Sequence, residues 1–141
     1  MASLRKEIEI DASAERVWDA LRDWGALHVR LVPGFATDAR LDGEDRIVTF
    51  SNGTVLRERL VDRDDDAWRL VWSVADPPYT HHNASAQVFA DGAERSRFVW
   101  TADFLPHELA GRAAGLMDQA LGVIKRTLES EQPGRSARTA P

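Results

Sequence analysis

The chain has 141 residues, of which 43% are hydrophobic and 29% are charged, a balance typical of one globular domain. Its 18 basic and 23 acidic residues give a formal net charge of −5, and the basic residues are scattered, which argues against a nucleic-acid partner. Cysteine is absent, which excludes disulfides and thiolate zinc sites, and no apolar run approaches the roughly 20 residues that span a bilayer. The N-terminus lacks a signal-peptide pattern, so we expect a cytoplasmic protein with no membrane span.

The first thirty residues predict a strand followed by two short helices. Apolar and charged side chains alternate over residues 4–10, which is typical of a strand with one buried face. Ser13 suits the N-cap of a helix over 14–23, where apolar residues recur at helical spacing. A second short helical segment is expected at 27–31, and Pro33-Gly34 ends it.

Residues 35–104 carry short apolar runs separated by turn signals. Asp42-Gly43, Asn52-Gly53 and Asp91-Gly92 tolerate the positive φ angles of tight hairpins, so they predict antiparallel neighbours. The six strand candidates are residues 35–41, 45–51, 54–62, 67–75, 82–90 and 95–104. Together with the first strand they predict a seven-stranded antiparallel sheet.

The last predicted element is one long amphipathic helix. Pro106 suits its first turn, and apolar residues recur at spacings of three and four from Leu109 to Leu128. We expect the helix to end near Glu129, inside a single ligand-binding domain over 1–131. Residues 132–141 have no apolar periodicity and are expected to form a disordered tail. A helix of this length can cover the concave face of the sheet, so the fold class is α+β with a ligand cavity between the two.

Several segments resemble those of one protein superfamily, both in their order and in their amino-acid sequence. They are Ile8–Asp11 running into Ser13–Asp23, then Arg46–Gly53, Glu58–Asp62 and Trp100–Pro106. Over residues 3–130 the chain resembles the SRPBCC superfamily, which contains START lipid-transfer domains and the birch pollen allergen, and it looks closest to the polyketide cyclase/dehydrase-like branch. The resemblance implies a helix-grip fold, in which a curved seven-stranded sheet wraps around the C-terminal helix, and a small hydrophobic ligand. This branch has no universal catalytic signature, so the resemblance assigns no catalytic role to any residue of this chain.

Glu58 is the first candidate for acid–base chemistry. It shares a strand face with Leu56 and Leu60. Arg57 and Arg59 occupy the opposite face, which indicates that this face is solvated and that Glu58 points inward. A carboxyl group among apolar residues has a raised pKa and can move a proton. The alternative is an ion pair between Glu58 and a neighbouring arginine across the sheet.

His82 is the second candidate. It lies in a polar run, His81-His82-Asn83, close to Tyr79. Only one of two adjacent histidines on a strand can face inward, so the pair is a poor metal chelator. An inward His82 could transfer a proton, with Tyr79 or Asn83 polarising a ligand carbonyl. The alternative is a solvated loop end beside the mouth of the cavity.

Further residues are candidates for contacting a ligand. His28 and Arg30 lie on the second short helix, which would close one end of the cavity, and Arg30 could pair with a ligand carboxylate or enolate. The alternative for Arg30 is a solvated position on the surface. The remaining candidates, from the sheet and the long helix, are Trp72, Trp100, Leu116 and Ala120.

Three functions follow from this pattern. The favoured one is binding of a polyketide, lipid or isoprenoid-like molecule in the cavity. The first alternative is a polyketide cyclase or dehydratase that uses Glu58 and His82 without a cofactor. The second is a protein-interaction domain, as in chaperone-associated members of the superfamily. No metal site is expected, because the four histidines lack ligand spacing; a homodimer is left open.

Overall fold

The computed structural model describes residues 1–130, so the expected tail at 132–141 lies outside the described residues. The strands are β1 (Ala2–Ile10), β2 (Ala36–Asp42), β3 (Asp45–Phe50), β4 (Val55–Asp64), β5 (Arg69–Val74), β6 (His81–Ala90) and β7 (Ser96–Leu105). The helices are α1 (Ala14–Arg22) and α2 (Ala110–Ser130), with 3-10 turns at Trp24–Ala26 and His107–Leu109 and a π-helical turn at Leu27–Leu31.

The seven strands form one antiparallel sheet in the order β1-β7-β6-β5-β4-β3-β2. From β2 to β7, strands that are adjacent in the sheet are also consecutive in the sequence. The first strand, β1, pairs with the last strand, β7. The helix α2 follows β7 and lies across the concave face. The predicted α+β helix-grip architecture is therefore confirmed.

Local sequence signals explain where most elements begin and turn. The Ser13 side chain accepts a hydrogen bond from the Arg16 backbone N–H at 3.3 Å, which caps α1. Gly53, with φ of 88°, ends the Asn52-Gly53 turn, and this conformation favours glycine. That turn fixes the pairing of β3 with β4 and sets Arg46 directly opposite Glu58.

Two of the element boundaries that differ from the sequence prediction have a clear structural reason. The strand β4 continues to Asp64, because the register shifts between Leu60 and Asp62 and lets the strand run on past an irregularity. The helix α2 begins at Ala110 rather than near Pro106, since residues 107–109 form a tighter 3-10 turn.

The core lies between the concave face of the sheet and α2. Inward positions alternate along the strands as predicted, and α2 turns one apolar stripe toward them. Lys6 also sits on an inward position of β1, where its Nζ lies 3.1 Å from Asp118 Oδ1 on α2. Among residues 1–130, no helix combines the length and apolar character needed to cross a bilayer.

Candidate ligand cavity

A cavity of about 100 Å³ lies between α2, the π-helical turn and the concave face of the sheet. Apolar side chains make up most of its wall. They include Leu31, Phe50, Leu70, Phe98 and Ile124. Arg46 and Glu58 are the charged residues that line it within the described part of the chain.

Three of the four residues expected to line the cavity do so, and one does not. Trp72, Trp100 and Ala120 are in its wall, and the two indole rings lie 6.3 Å apart between centroids. Leu116 is not among the residues that line the cavity. Its position is at the border of the buried stripe of α2, whereas Met117 is buried toward the core.

The charged part of the wall is a buried ion pair between β3 and β4. Arg46 Nε and Nη2 lie 2.8 and 2.7 Å from the same oxygen, Glu58 Oε1. The two side chains are only 5% and 9% exposed. Glu58 therefore points inward, as strand alternation predicts, and it has the cross-strand arginine partner of the alternative interpretation.

Trp24 completes the surroundings of Arg46. Its backbone carbonyl accepts a hydrogen bond from Arg46 Nη1 at 3.1 Å, and its ring covers the guanidinium at 3.6 Å from the centroid. The Trp24 indole N–H donates to the Glu44 carbonyl at 3.0 Å, which holds the ring in place. The guanidinium is thus held on one edge by Glu58 and on one face by an aromatic ring.

Two polar atoms of cavity-lining residues have no partner in residues 1–130. Both Arg46 contacts go to Glu58 Oε1, and no described residue donates to Oε2. The Trp100 indole N–H is buried and has no acceptor. Because buried polar groups are normally hydrogen-bonded, the buried Trp100 N–H is an exception, whereas Glu58 Oε2 is an acceptor that is not fully buried and remains available to a ligand or an ordered water.

His82 and Tyr79 lie together but outside the cavity wall. Their rings are 4.9 Å apart, and Tyr79 also packs edge-on against Phe104. His82 Nδ1 accepts a hydrogen bond from the Val74 N–H at 3.1 Å, and burial lowers the pKa of His82. Burial, together with the negative charge of Glu58, raises the pKa of Tyr79. At neutral pH both groups are uncharged, and the His82 proton is on Nε2.

The other predicted ligand contacts lie elsewhere. Arg30 forms ion pairs with Asp19 at 2.6 Å and with Asp23 at 2.9 Å, so its guanidinium holds the π-helical turn to the end of α1. Asn83 alternates with the buried Ala84 and faces the convex side of the sheet. His28 is half-buried with its Nδ1 unpaired, and it does not line the cavity. None of these three residues lines the cavity.

An open groove of about 450 Å³ lies beside the cavity. It runs between α2 and two loops, one before β2 with Gly34 and one after β3 with Ser51, which face Gln119 and Arg126. Phe35 lines both the groove and the cavity, and its ring packs edge-on against Phe50 at 5.8 Å. The phenyl ring of Phe35 therefore stands between the two spaces.

Sequence reasoning identified Glu58 but missed Arg46, its partner in the cavity wall, and Trp24, which covers Arg46. Arg46 shares one face of β3 with Val48 and Phe50, and this pattern already indicates that the arginine faces inward. No comparable signal marks Trp24, because its contact with Arg46 depends on how the 3-10 turn packs on the sheet. Within residues 1–130, no group of three or more His, Asp or Glu side chains is arranged to hold a metal ion.

Comparison with known proteins places this geometry in context. The family described as polyketide cyclase / dehydrase and lipid transport matches residues 1–130. No curated protein matches the sequence.

Solved structures with the same fold include proteins with and without a described activity. A solution structure from Thermobifida fusca is 32% identical, with a TM-score of 0.75 over 96% of this chain and 95% of that one. A START superfamily protein from Mycobacterium smegmatis is 14% identical, with a TM-score of 0.69 over 88% and 97%. The di-domain aromatase/cyclase BexL of the BE-7585A biosynthetic pathway is 15% identical, with a TM-score of 0.77 over 92% of this chain and 47% of that one. The two likenesses below 25% identity concern the fold alone.

Proposed function

We propose that this chain, which belongs to the polyketide cyclase / dehydrase and lipid transport family, binds one small hydrophobic organic molecule in the cavity beneath α2. The observation that carries the proposal is the cavity itself, an apolar space with aromatic walls and a single charged pair. Pockets of this composition, with few polar groups in an apolar wall, are typical small-molecule sites.

Energetics support a ligand. Protein interiors are close-packed, and an empty cavity costs roughly 24 cal/mol per Å³, so a space of about 100 Å³ costs on the order of 2 kcal/mol if nothing fills it. A ligand offsets that cost by restoring contacts with the wall. The Trp72 and Trp100 rings provide flat surfaces that favour an aromatic or polycyclic group.

Size limits which part of a ligand the cavity accepts. About 100 Å³ is below the roughly 300–1,000 Å³ of most small-molecule sites and suits one ring. A polyketide, lipid or isoprenoid would place one group in the cavity and extend past Phe35 into the groove. Phe35 is therefore the residue that such a ligand must displace or stack against.

Cofactor-free catalysis is the second candidate function, and it is favoured by one observation. His82 is neutral at physiological pH, half-buried, and close enough to Glu58 for the carboxylate to influence its pKa. A neutral imidazole is suited to moving a proton. A substrate would have to reach beyond the cavity wall toward Tyr79 for this chemistry, so binding remains the function that the geometry supports best.

Titration with aromatic polyketides, terpenoids and fatty acids tests the proposal. A ligand should quench tryptophan fluorescence and raise the melting temperature, because binding at 100 times Kd stabilises the folded state by about 2.7 kcal/mol. Trp72→Phe and Trp100→Phe together should remove most of the quenching while the thermal shift remains. Neither quenching nor a thermal shift with any compound would contradict the proposal.

The same titration separates a carrier from a catalyst. A carrier returns the ligand unaltered, and Glu58→Gln and His82→Ala change its affinity modestly. A catalyst converts the ligand, and these substitutions abolish turnover while binding remains nearly intact. Product analysis by mass spectrometry decides between the two.

A further inference from the structure

We infer that Glu58 Oε2 selects a neutral ligand that carries a hydroxyl group and rejects a ligand that carries a carboxylate. The inference rests on the proposed function, because it names the chemistry of the molecule in the same cavity. It concerns the buried ion pair that lines the wall.

Arg46 is a poor anion receptor in this arrangement. Its Nε donates to Glu58 Oε1, its Nη2 lies 2.7 Å from the same oxygen, and its Nη1 donates to the Trp24 carbonyl. The Trp24 ring covers one face of the guanidinium at 3.6 Å. A ligand carboxylate would find only the remaining N–H groups of a guanidinium whose charge Glu58 already neutralises, so it would gain little for the cost of its own desolvation.

Glu58 offers the opposite chemistry. An ionised carboxylate only accepts hydrogen bonds, and Oε1 already takes both contacts from Arg46. Within residues 1–130 no residue donates to Oε2, and Glu58 lines the cavity; unlike the Trp100 indole nitrogen, Oε2 is not fully buried. A hydroxyl group of a ligand supplies the missing donor.

Electrostatics reinforce the selection. The cavity is lined mostly by apolar side chains, so charges in it are weakly screened. A ligand carboxylate would bring a second negative charge beside Glu58, whereas a neutral hydroxyl adds no net charge to the pair. A hydrogen bond to a charged group gains on the order of 10-fold or more in affinity.

Three single-ring probes that suit the cavity test this inference. They are 4-methylphenol, p-xylene, in which a methyl group replaces the hydroxyl, and 4-methylbenzoate. The matched variant is Arg46→Met/Glu58→Leu, which removes the whole pair, since replacing a buried pair by apolar residues is often tolerated. Calorimetry gives Kd for each probe with the full-length protein, and the folded state of the variant is checked by NMR.

We expect 4-methylphenol to bind the wild-type protein and 4-methylbenzoate to bind at least 10-fold more weakly. The preference for 4-methylphenol over p-xylene should fall by about 10-fold or more in the double variant. Equal binding of 4-methylphenol and 4-methylbenzoate to the wild type overturns the inference, and this comparison needs no variant. An unchanged preference in the folded double variant also overturns it.

The outcomes distinguish this inference from the proposed function. If p-xylene binds in the cavity and the hydroxyl gains nothing, the proposed function stands and the selection by Glu58 fails. If no probe binds the wild-type protein, both fail.

Discussion

The two faces of the β3–β4 hairpin carry the same kind of ion pair in opposite environments. On the concave face, Arg46 and Glu58 are 5% and 9% exposed and line the cavity. On the convex face, Arg57 lies 2.7 Å from Asp42 and 2.9 Å from Asp45, and the Arg57 and Asp42 side chains are 34% and 59% exposed. Adjacent residues of one strand thus form charged contacts of similar length in different surroundings. Both Arg46 contacts go to one Glu58 oxygen and are buried, whereas the Arg57 contacts go to two aspartates and are partly exposed.

The comparison shows that a short distance between two charged groups does not by itself make their ion pair important for stability. The Arg57 hydrogen bond lowers the pKa of Asp42, but water screens this pair and would solvate either partner alone. The inner pair is shielded from bulk water, so its two members depend on each other. The inner pair is therefore where a substitution should change both stability and ligand selection.

The largest expected effect comes from breaking the inner pair on one side. Glu58→Gln should lower the free energy of unfolding by about 3 kcal/mol, because it leaves a buried guanidinium without a counter-charge. The same carboxylate-to-amide change at Asp42 on the convex face should leave the urea midpoint almost unchanged. Equal losses of stability in the two variants would mean that burial does not make the inner ion pair more important for folding than the outer one.

The contrast between the faces was only half predictable from the sequence. Strand alternation placed Glu58 inward and Arg57 outward, because the period of two fixes the face of every residue in β4. The partner of Glu58 depends on the register of β3, which the Asn52-Gly53 turn sets. The same alternation would have placed Arg46 inward, but a charged residue is ordinarily expected on the surface.

The cavity itself was predicted more coarsely. The length of α2 and the number of strands predict a space between helix and sheet, and aromatic residues on inward positions predict part of its wall. The volume depends on how side chains from several elements pack, which no local pattern encodes. For the same reason the sequence could not show whether Leu116 lines the cavity, since it lies at the edge of the stripe where small helix rotations decide exposure.

The second prediction concerns a substitution that fills the cavity on the concave side of the sheet. Ala120→Leu should reduce ligand affinity by more than 10-fold, because the added atoms occupy the cavity that Ala120 lines. The same change should raise the melting temperature by roughly 2–4 °C, as cavity-filling substitutions stabilise by about 1 kcal/mol. Ala110→Leu, on the same helix and away from the cavity, is the matched control and should leave affinity unchanged. Retained affinity in Ala120→Leu would place the ligand elsewhere.

The smallest predicted effect concerns pH. Burial lowers the pKa of His82 below its ordinary value of 6.5, so the unfolded chain binds the proton more readily than the folded protein. The stability that neutral His82 supports is present above pH 6.5 and is lost as the pH falls from 6.5 through the lower folded pKa.

A pair of histidine variants isolates this effect. His82→Asn keeps an acceptor for the Val74 N–H but does not titrate, so urea midpoints measured between pH 7.5 and 5 should fall less steeply than in the wild type. The exposed His81 provides the control, and His81→Asn should keep the wild-type slope. Identical slopes in all three proteins would show that His82 does not contribute.

The most direct measurement of the central claim is a crystal structure of the protein with 4-methylphenol. The claim predicts the ring packed against Trp72 and Trp100, with its hydroxyl oxygen roughly 2.5–3.0 Å from Glu58 Oε2 and the Arg46–Glu58 pair intact. An empty cavity at saturating ligand, or a ring whose hydroxyl points away from Glu58, would contradict it.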